Sequence, residues 1–364
     1  MSVPLTHRRA LATGTLFALA AGLMWGLVFV VPVMLPEYPA ALLSFARYLA
    51  FGLIALPLAW FDRAGLAELT RADWIEALKL AAIGNVLYYL FLAAAIQRAG
   101  APLPTMIIGT LPVVIAISSN LRDHARDGRL PWARLAPSLL LIALGIAAVN
   151  QAELARQTSA VSAQPGAAGA VSAVSAAGLD LARYAIGALL AVGAVVCWTW
   201  YPLRNADWLR AHASRSPRTW ATAQGVATLP LALLGCAGLW LFAALTPGAF
   251  DTPAVAAGGS PTPFELPLGP QPLLFVTLMF AIGLFASWLG TLCWNEASQR
   301  LPTRLSGQLI VFETLAALAY AFALRGEWPS AATVWGTALL VGGVAWGVRV
   351  GAARQPRPRP GPLP

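Results

Sequence analysis

Long apolar segments alternate with short polar segments along the whole chain. A helix needs about 20 apolar residues to cross the hydrocarbon core of a bilayer, and ten segments approach that length. The predicted helices cover residues 12–34, 40–60, 76–96, 103–120, 133–150, 183–203, 219–245, 281–298, 303–324 and 329–349. This pattern predicts an all-α integral membrane protein with ten transmembrane helices.

Composition supports this interpretation and excludes a soluble domain. The 364 residues are 58% hydrophobic and 11% charged, whereas soluble domains carry about 25% charged residues. The formal net charge of +9 is explained by the orientation of the chain in the membrane rather than by nucleic-acid binding. Most of the 24 basic residues fall in alternate loops, on the same side of the membrane as the amino terminus. Cytoplasmic loops are rich in Lys and Arg. Both termini are therefore predicted to be cytoplasmic, in a multi-pass protein of the cell (inner) membrane.

The chain also contains weak internal repeats. Ala95-Ile96-Gln97-Arg98 resembles Ala297-Ser298-Gln299-Arg300, which lies 202 residues later. Two further matches keep the same order along the chain: Trp25-Gly26 with Trp198-Thr199, and Leu144-Gly145-Ile146 with Gly342-Gly343-Val344. Three matches in one order indicate a duplicated half.

The duplication defines the predicted domains. Residues 1–150 form a first five-helix repeat and residues 183–350 a second, joined by a flexible Ala/Ser/Gly-rich linker at 151–182. Residues 351–364 are predicted to be a disordered cytoplasmic tail, and the Pro- and Gly-rich segment 246–271 an irregular loop. Because five is odd, the two repeats must insert with opposite orientation. Inverted repeats of this kind place a substrate site near the midplane, between the halves.

One acidic residue lies deep inside a predicted helix. Glu313 follows Val311-Phe312 and precedes Thr314 and Leu315, at about mid-membrane depth, where a charged side chain costs roughly 2.5–3.5 kcal/mol or more. A functional carboxylate that meets a proton or a substrate amine is one explanation. A protonated or hydrogen-bonded packing residue is the other.

Further polar and aromatic residues inside the predicted helices complete the candidate substrate-binding and coupling set. Arg47 either lies about two turns inside the bilayer or extends its guanidinium to the nearby headgroups. The aromatic members are candidates for amphipathic and cation–π walls, although packing or an interfacial belt explains any single one of them. The remaining members are Glu296, Asn295, Trp294, Trp288, Tyr88, Tyr89, Asn85, Trp25, Trp198 and Gln308.

Enzyme chemistry has little support in the sequence. Cys197, Cys236 and Cys293 all fall in apolar runs without a CxxC pair, which is typical of small packing residues rather than metal or disulfide sites. No histidine lies in an apolar run, and no HExxH, GxSxG or phosphate-binding glycine loop is present. We therefore expect no catalytic residues, no metal and no cofactor.

The residues described so far match a known pattern. The chain resembles the EamA-type ten-helix branch of the drug/metabolite transporter superfamily: Trp25-Gly26, Arg47, Leu111-Pro112 and Glu313 stand at the matching places, and Gly326-Glu327 ends the ninth helix. The resemblance implies a five-plus-five inverted fold with a central cavity lined by helices 1, 3, 4, 6, 8 and 9. Thr314 replaces a proline that many members have after the Glu, so we expect no local helix break there.

Two functions remain open at this point. The first is a secondary transporter, commonly an exporter according to the resemblance, which moves a small organic metabolite (an amino acid or similar) by alternating access. Its partners would be the substrate, the lipid bilayer and a proton as candidate coupling ion. The second is a non-transporting membrane protein, such as a lipid-handling or scaffold subunit. That alternative predicts a dry interior in which a hydrogen bond seals Glu313.

Overall fold

The described residues form helices and contain no β-strand. A computed structural model describes residues 5–35, 37–99, 104, 107–122, 131–162, 181–250, 263–326 and 328–352. We number the long helices in chain order: α1 (Leu5–Gly26), α2 (Ala40–Phe61), α3 (Arg71–Lys79, Leu80–Leu87 and Tyr88–Ala99), α4 (Leu111–Arg122), α5 (Trp132–Ser162), α6 (Leu181–Ala211), α7 (Pro217–Leu245), α8 (Pro272–Ile282, Gly283–Leu289 and Gly290–Arg300), α9 (Thr303–Leu309 and Val311–Arg325) and α10 (Ala331–Ala352).

Eight helical spans within the described residues are long and apolar enough to cross a membrane. The prediction of an all-α membrane protein is thereby confirmed. The described parts of α4 and α10 are apolar but shorter, at Leu111–Arg122 and Ala331–Gly347, so the count of ten spans stays a prediction.

Several boundaries differ from the predicted ones. Helix α5 continues to Ser162, so the first part of the predicted linker 151–182 is helical. Helix α8 begins at Pro272, well before the predicted start. Residues 163–180 of the linker, 251–262 of the predicted loop and 353–364 of the predicted tail lie outside the described residues.

Four helices change their winding near the middle of the molecule. A single 3₁₀ turn, Leu27–Phe29, follows α1. Helices α3 and α8 each contain a π-helical segment, at Leu80–Leu87 and Gly283–Leu289. Helix α9 is interrupted at Ile310, where the Glu313 amide donates to the Ile310 carbonyl at 2.9 Å. The expectation of an unbroken helix at this point, based on Thr314, was therefore wrong: a tight turn interrupts the helix without a proline.

The long helices pack mainly in pairs across the two halves of the chain. Helix α2 packs on α7, α5 on α10, and α4 on the first segment of α9. Helix α1 packs along α8 and α9, and α6 along α3 and, less extensively, α4. The largest buried cluster lies among α1, α2, α3, α6, α7 and α8, and contains Trp25, Tyr48, Tyr201 and Trp220. The interior therefore lies between the halves rather than within either one.

Two glycines allow close helix contacts next to this interior. A Cβ at Gly84 in α3 would lie 2.2 Å from the Tyr201 ring of α6, and a Cβ at Gly290 in α8 would lie 2.7 Å from Nε1 of Trp25. These are distances that no side chain tolerates without movement. The small residue lets the neighbouring aromatic ring lie directly against the backbone.

We expect Gly84→Ala to destabilise the protein by about 1–3 kcal/mol, because overpacking forces rings and backbone to shift. The matched control is Gly238→Ala in α7, whose Cβ would meet no atom within 4 Å and should leave stability equal or slightly raised. Thermal unfolding of the purified proteins in detergent measures both changes. Equal melting temperatures for the two variants would contradict the packing argument.

Candidate functional site

A central cavity lies where the irregular helix segments meet. Its wall comes from α1 and the turn after it, α2, the π segments of α3 and α8 and the residues that follow them, α6, and the second segment of α9. A change in helical winding turns side chains and backbone groups away from the regular ladder and is frequent at functional sites. The lining residues are Trp25, Val28, Phe29, Arg47, Tyr48, Phe51, Asn85, Tyr88, Leu92, Trp198, Tyr201, Ala286, Ser287, Thr291 and Glu313.

Arg47 is held inside this cavity and does not extend to the headgroups. Only 7% of its surface is exposed, and its Nε donates to Ser287 Oγ at 3.1 Å. Its guanidinium carbon lies 5.1 Å from the ring centre of Tyr48 and 5.5 Å from that of Tyr89, within the range of cation–π attraction. Two aromatic rings and one hydroxyl fix the cation, and the terminal Nη groups have no partner among the described residues.

Glu313 also faces the cavity, in the first turn of the second α9 segment. A carboxylate at a helix N-terminus is favoured by the helix dipole. Among the described residues its carboxylate accepts no hydrogen bond and has no basic group within 4.0 Å, so it is neither sealed nor paired with Arg47. The cavity therefore presents one cation and one carboxylate, each with free hydrogen-bonding capacity.

Aromatic side chains form a continuous row along the same cavity. Trp25 contacts Trp198 edge to face with ring centres 5.4 Å apart, and Trp294 at 5.2 Å. Trp198 is stacked between Tyr88 at 4.7 Å and Tyr201 at 5.2 Å. The indole N–H of Trp198 is buried and finds no acceptor among the described residues. The row offers π faces to an apolar group, and the free N–H of Trp198 offers a hydrogen bond to a polar one.

The structure thus brings Trp25, Arg47, Asn85, Tyr88, Trp198 and Glu313 together on one cavity. Two further predicted residues lie directly behind this wall, Tyr89 under Arg47 and Trp294 against Trp25. The four others lie elsewhere and serve helix packing or a helix end, as their contacts show.

Those four residues already have partners outside the cavity. Trp288 donates from Nε1 to Thr222 at 3.2 Å, and Asn295 accepts from Asn205 at 2.9 Å. Gln308 donates to Ser138 at 3.1 Å, between α9 and α5. Glu296 forms an ion pair with Arg300 one turn later in α8.

Sequence analysis missed several lining residues. The polar ones are Tyr48, Tyr201, Ser287 and Thr291, and the apolar ones are Val28, Phe29, Phe51, Leu92 and Ala286. Tyr48 is adjacent to Arg47, and Tyr201 follows Trp198 by three residues, so helical spacing from a suspected residue could have found both. No described residue of α4 lines the cavity, although the resemblance implied that helix; α2 contributes instead.

The cavity is nearly collapsed in this state. The space between atoms at this site, including the part open to solvent, is about 490 Å³, but room for the centre of a water-sized molecule amounts to about 20 Å³. That is about one water molecule, since roughly 10–15 Å³ of such room is needed for each. A metabolite can enter only if the helices separate.

Known proteins match this chain in sequence. The EamA-like transporter family matches residues 12–150 of the chain. The inner membrane protein YtfF of Escherichia coli (strain K12) is 50% identical over 340 residues, which cover 93% of this chain and 95% of YtfF.

The chain belongs to the EamA-like transporter family. The resemblance to the EamA-type branch is thereby confirmed, and by family the protein is a membrane transporter of the drug/metabolite type. A solved crystal structure overlays on this EamA-like chain with a TM-score of 0.61 and 20% identity, covering 94% of this chain and 98% of the solved one. That likeness shows the fold alone.

Proposed function

We propose that the protein is a secondary transporter that exports a small zwitterionic metabolite, an amino acid or a similar compound, by alternating access. The observation that carries the proposal is the pair of unlike charges, Arg47 and Glu313, in one buried cavity without an ion pair between them. A buried charge is costly unless it is paired. A substrate with a carboxylate and an ammonium group supplies both missing partners.

The cation binds the anionic end of the substrate. Ser287, Tyr48 and Tyr89 orient the Arg47 guanidinium, and its free Nη groups match the two oxygens of a carboxylate in a bidentate hydrogen bond. The Trp198 indole N–H lines the same cavity as a further donor. This arrangement is specific for a planar anion, which a lysine in the same place could not bind as a fork.

The carboxylate of Glu313 binds either the ammonium group of the substrate or a proton. A single carboxylate cannot hold both, so binding of the one releases the other. Substrate export and proton entry are thereby coupled through competition for the same oxygen atoms, which is the usual use of an intramembrane acid in a transporter. The row formed by Trp25, Tyr88, Trp198 and Tyr201 packs against the remaining, apolar part of the substrate.

An inverted five-plus-five arrangement supports alternating access. The counterpart of each helix in the first half is the helix numbered five higher in the second. If counterparts are exchanged, the packed pair α1–α8 becomes the packed pair α6–α3. The same exchange leaves the pairs α2–α7, α5–α10 and α4–α9 unchanged. The two π segments fall at corresponding places in α3 and α8, at nearly the offset of the sequence repeat. Both features are expected of two halves related by a two-fold axis in the membrane plane.

Orientation follows from charge. Arg204, Arg215, Arg218 and Arg300 lie at one end of the helix bundle, and the positive-inside rule makes this end cytoplasmic. Both termini are then cytoplasmic as well. YtfF is an inner membrane protein, and we propose the same membrane for this chain.

The alternative, a lipid-handling or scaffold subunit, requires a dry interior with Glu313 sealed by a hydrogen bond. The cavity between the halves and the unbonded Glu313 carboxylate favour transport. Without a ligand, each unpaired polar group buried on the cavity wall would destabilise the folded protein by about 1–3 kcal/mol.

The proposal predicts selective export. Cells with and without the expressed protein are loaded with mixed amino acids and common neutral, anionic and cationic metabolites, and the medium is followed by mass spectrometry. We expect one or a few zwitterions to accumulate outside only in expressing cells. The same compounds should raise the melting temperature of the purified protein, because a ligand that binds only the folded state stabilises it.

Two results would contradict this function. If only anions or only cations were exported, the paired roles of Arg47 and Glu313 would be wrong. If no compound were exported or imported and none stabilised the purified protein, the chain would not be a transporter of small zwitterions.

A further inference from the structure

A cluster of charged and aromatic side chains joins the two halves at the cytoplasmic end, outside the cavity. We call it the cytoplasmic latch and define it as Asp73 and Glu76 of α3 with Arg204 and Trp208 of α6 and His212, the first residue after α6. These last three residues are spaced four apart, and the His212 amide still donates to the Trp208 carbonyl, so they lie along one face. The inference below rests on the proposed function and on its orientation.

The latch contacts are close and numerous. Asp73 Oδ1 accepts from Trp208 Nε1 at 2.7 Å and lies 3.6 Å from His212 Nε2. The Arg204 guanidinium contacts both Glu76 oxygens, with Nη2 to Oε2 at 3.2 Å. Lys79 approaches Glu76 at 3.8 Å from the same helix.

Both carboxylates depend on these partners. Asp73 is 5% and Glu76 7% exposed, so each is shielded from water while the helices are together. The other Asp73 oxygen already accepts from the Thr70 amide and hydroxyl at 2.8 Å each, which caps α3. Separating α6 from α3 at this end would leave Glu76 with Lys79 alone and Asp73 with its capping bonds alone.

A second layer of buried amides links the latch to the cavity wall. Tyr201, which lines the cavity, donates from its hydroxyl to Gln224 at 2.9 Å, and Gln224 donates to Asn205 at 3.1 Å. Asn205 also accepts from Trp220 at 2.9 Å, and the Trp220 ring stacks on Trp208 of the latch at 3.4 Å. Movement of the latch therefore reaches Tyr201 through direct contacts.

The corresponding contacts at the opposite end carry no ion pair among the described residues. There the Tyr38 ring stacks on Phe275, in the first turn of α8, with ring centres 4.9 Å apart. It also contacts Phe264 edge to face at 5.2 Å. The Tyr38 hydroxyl donates to the Leu268 carbonyl at 2.7 Å and accepts from the Gln271 amide at 2.8 Å. Phe275 lies 202 residues after Asp73, which is the offset of the internal repeat. The two residues therefore hold equivalent positions in the two halves, with a carboxylate at the cytoplasmic end and an aromatic ring at the opposite end.

We propose that the cytoplasmic latch is the inner gate of the transport site and that the Tyr38 cluster is the outer gate. The two gates occupy equivalent places but differ in chemistry: the inner one contains an ion pair, whereas the outer one is built on stacked aromatic rings and has no ion pair among the described residues. Opening the inner gate exposes two carboxylates that lose their α6-side partners, whereas opening the outer gate separates stacked rings. The empty transporter therefore rests with its cytoplasmic side closed.

Accessibility of a cavity residue from each side tests this gate. Thr291→Cys places a thiol on the cavity wall in a background where Cys197, Cys236 and Cys293 are replaced by alanine. Inside-out and right-side-out membrane vesicles are treated with a membrane-impermeant maleimide. Ala213→Cys, in the turn after α6, and Glu265→Cys, in the segment before α8, mark the two faces.

In the Asp73→Asn/Glu76→Gln variant we expect the labelling rate in inside-out vesicles to rise about tenfold or more, because loss of the Glu76–Arg204 ion pair and weakening of the Asp73–Trp208 hydrogen bond shift the population of the open gate. Labelling in right-side-out vesicles should fall. The control is Glu68→Gln, which removes a carboxylate from an exposed ion pair with Arg215 on the same face and should change neither rate. The swapped pair, Glu76→Arg with Arg204→Glu, should restore the slow inner labelling that Glu76→Gln alone speeds up.

Unchanged inner labelling in a double variant that keeps its melting temperature would overturn the latch. An equal rise in Glu68→Gln, or failure of the swapped pair to restore the slow rate, would also overturn it, since general surface charge would then explain the effect. These measurements need no substrate. If the latch variants change labelling as expected but no zwitterion is exported, only the proposed function is refuted. If a zwitterion is exported but the latch variants leave labelling unchanged, only this inference is refuted.

Discussion

Glu313→Gln is expected to reduce net export by about 30-fold or more and to make the remaining flux insensitive to an imposed proton gradient. The amide keeps the size of the side chain but carries no charge and takes no proton, so the ammonium group of the substrate enters the cavity unpaired. Loss of one partner of a buried charge pair costs about 2–5 kcal/mol, and 1.4 kcal/mol corresponds to a factor of ten. Efflux from loaded vesicles, with and without a pH gradient, measures both effects.

The matched control is Glu296→Gln. This carboxylate lies on α8 beside Arg300 and does not line the cavity, so its replacement should leave the proton response intact. The sequence offers both glutamates as coupling groups, and the pair of variants separates them. Gradient-driven export at the normal rate in Glu313→Gln would remove that residue from the mechanism.

Arg47→Gln should raise the substrate concentration for half-maximal export by about 30-fold or more, because the carboxylate of the substrate loses its charged partner and its bidentate hydrogen bonds. Arg47→Lys keeps the charge but not the planar fork that Tyr48 and Tyr89 orient. We expect Arg47→Lys to recover only part of the affinity. Concentration-dependent efflux of the identified zwitterion, with binding measured by thermal stabilisation, gives both values.

Ser287→Ala provides a graded comparison for the same site. It removes the hydroxyl that accepts from Arg47 Nε but leaves the guanidinium in place, and a hydrogen bond to a charged group contributes roughly 1.5–3 kcal/mol. Its effect should therefore fall between those of the wild type and Arg47→Gln. If Arg47→Gln bound and exported the substrate normally, the anion-binding role of Arg47 would be refuted.

Much of the architecture and part of the site follow from the physics of the bilayer. Apolar runs of bilayer length predict helices, and a charge inside such a run is costly enough to demand an explanation. That argument selected Glu313 and Arg47, which both reach the cavity. Trp25 and Trp198 stood out because an internal repeat pairs them, and their rings are in contact.

The remaining features could not be read from apolar periodicity. The π segments at Leu80–Leu87 and Gly283–Leu289 are apolar stretches with one polar residue each, Asn85 and Ser287, which is too little to reveal a change in winding. Ser287 and Thr291 are too common in membrane helices to stand out. Conversely, Asn295 and Gln308 looked like site residues, yet their amides are engaged with Asn205 and Ser138, because amides also join helices inside a membrane.

The near absence of room in the cavity has an electrical consequence. With space for about one water molecule, this cavity cannot hold a chain of hydrogen-bonded waters, and a proton needs such a chain to pass through it unaided. Each elementary charge that leaks dissipates about 2.3 kcal/mol per 100 mV of membrane potential. The collapsed cavity therefore insulates the two sides of the membrane from each other at the transport site.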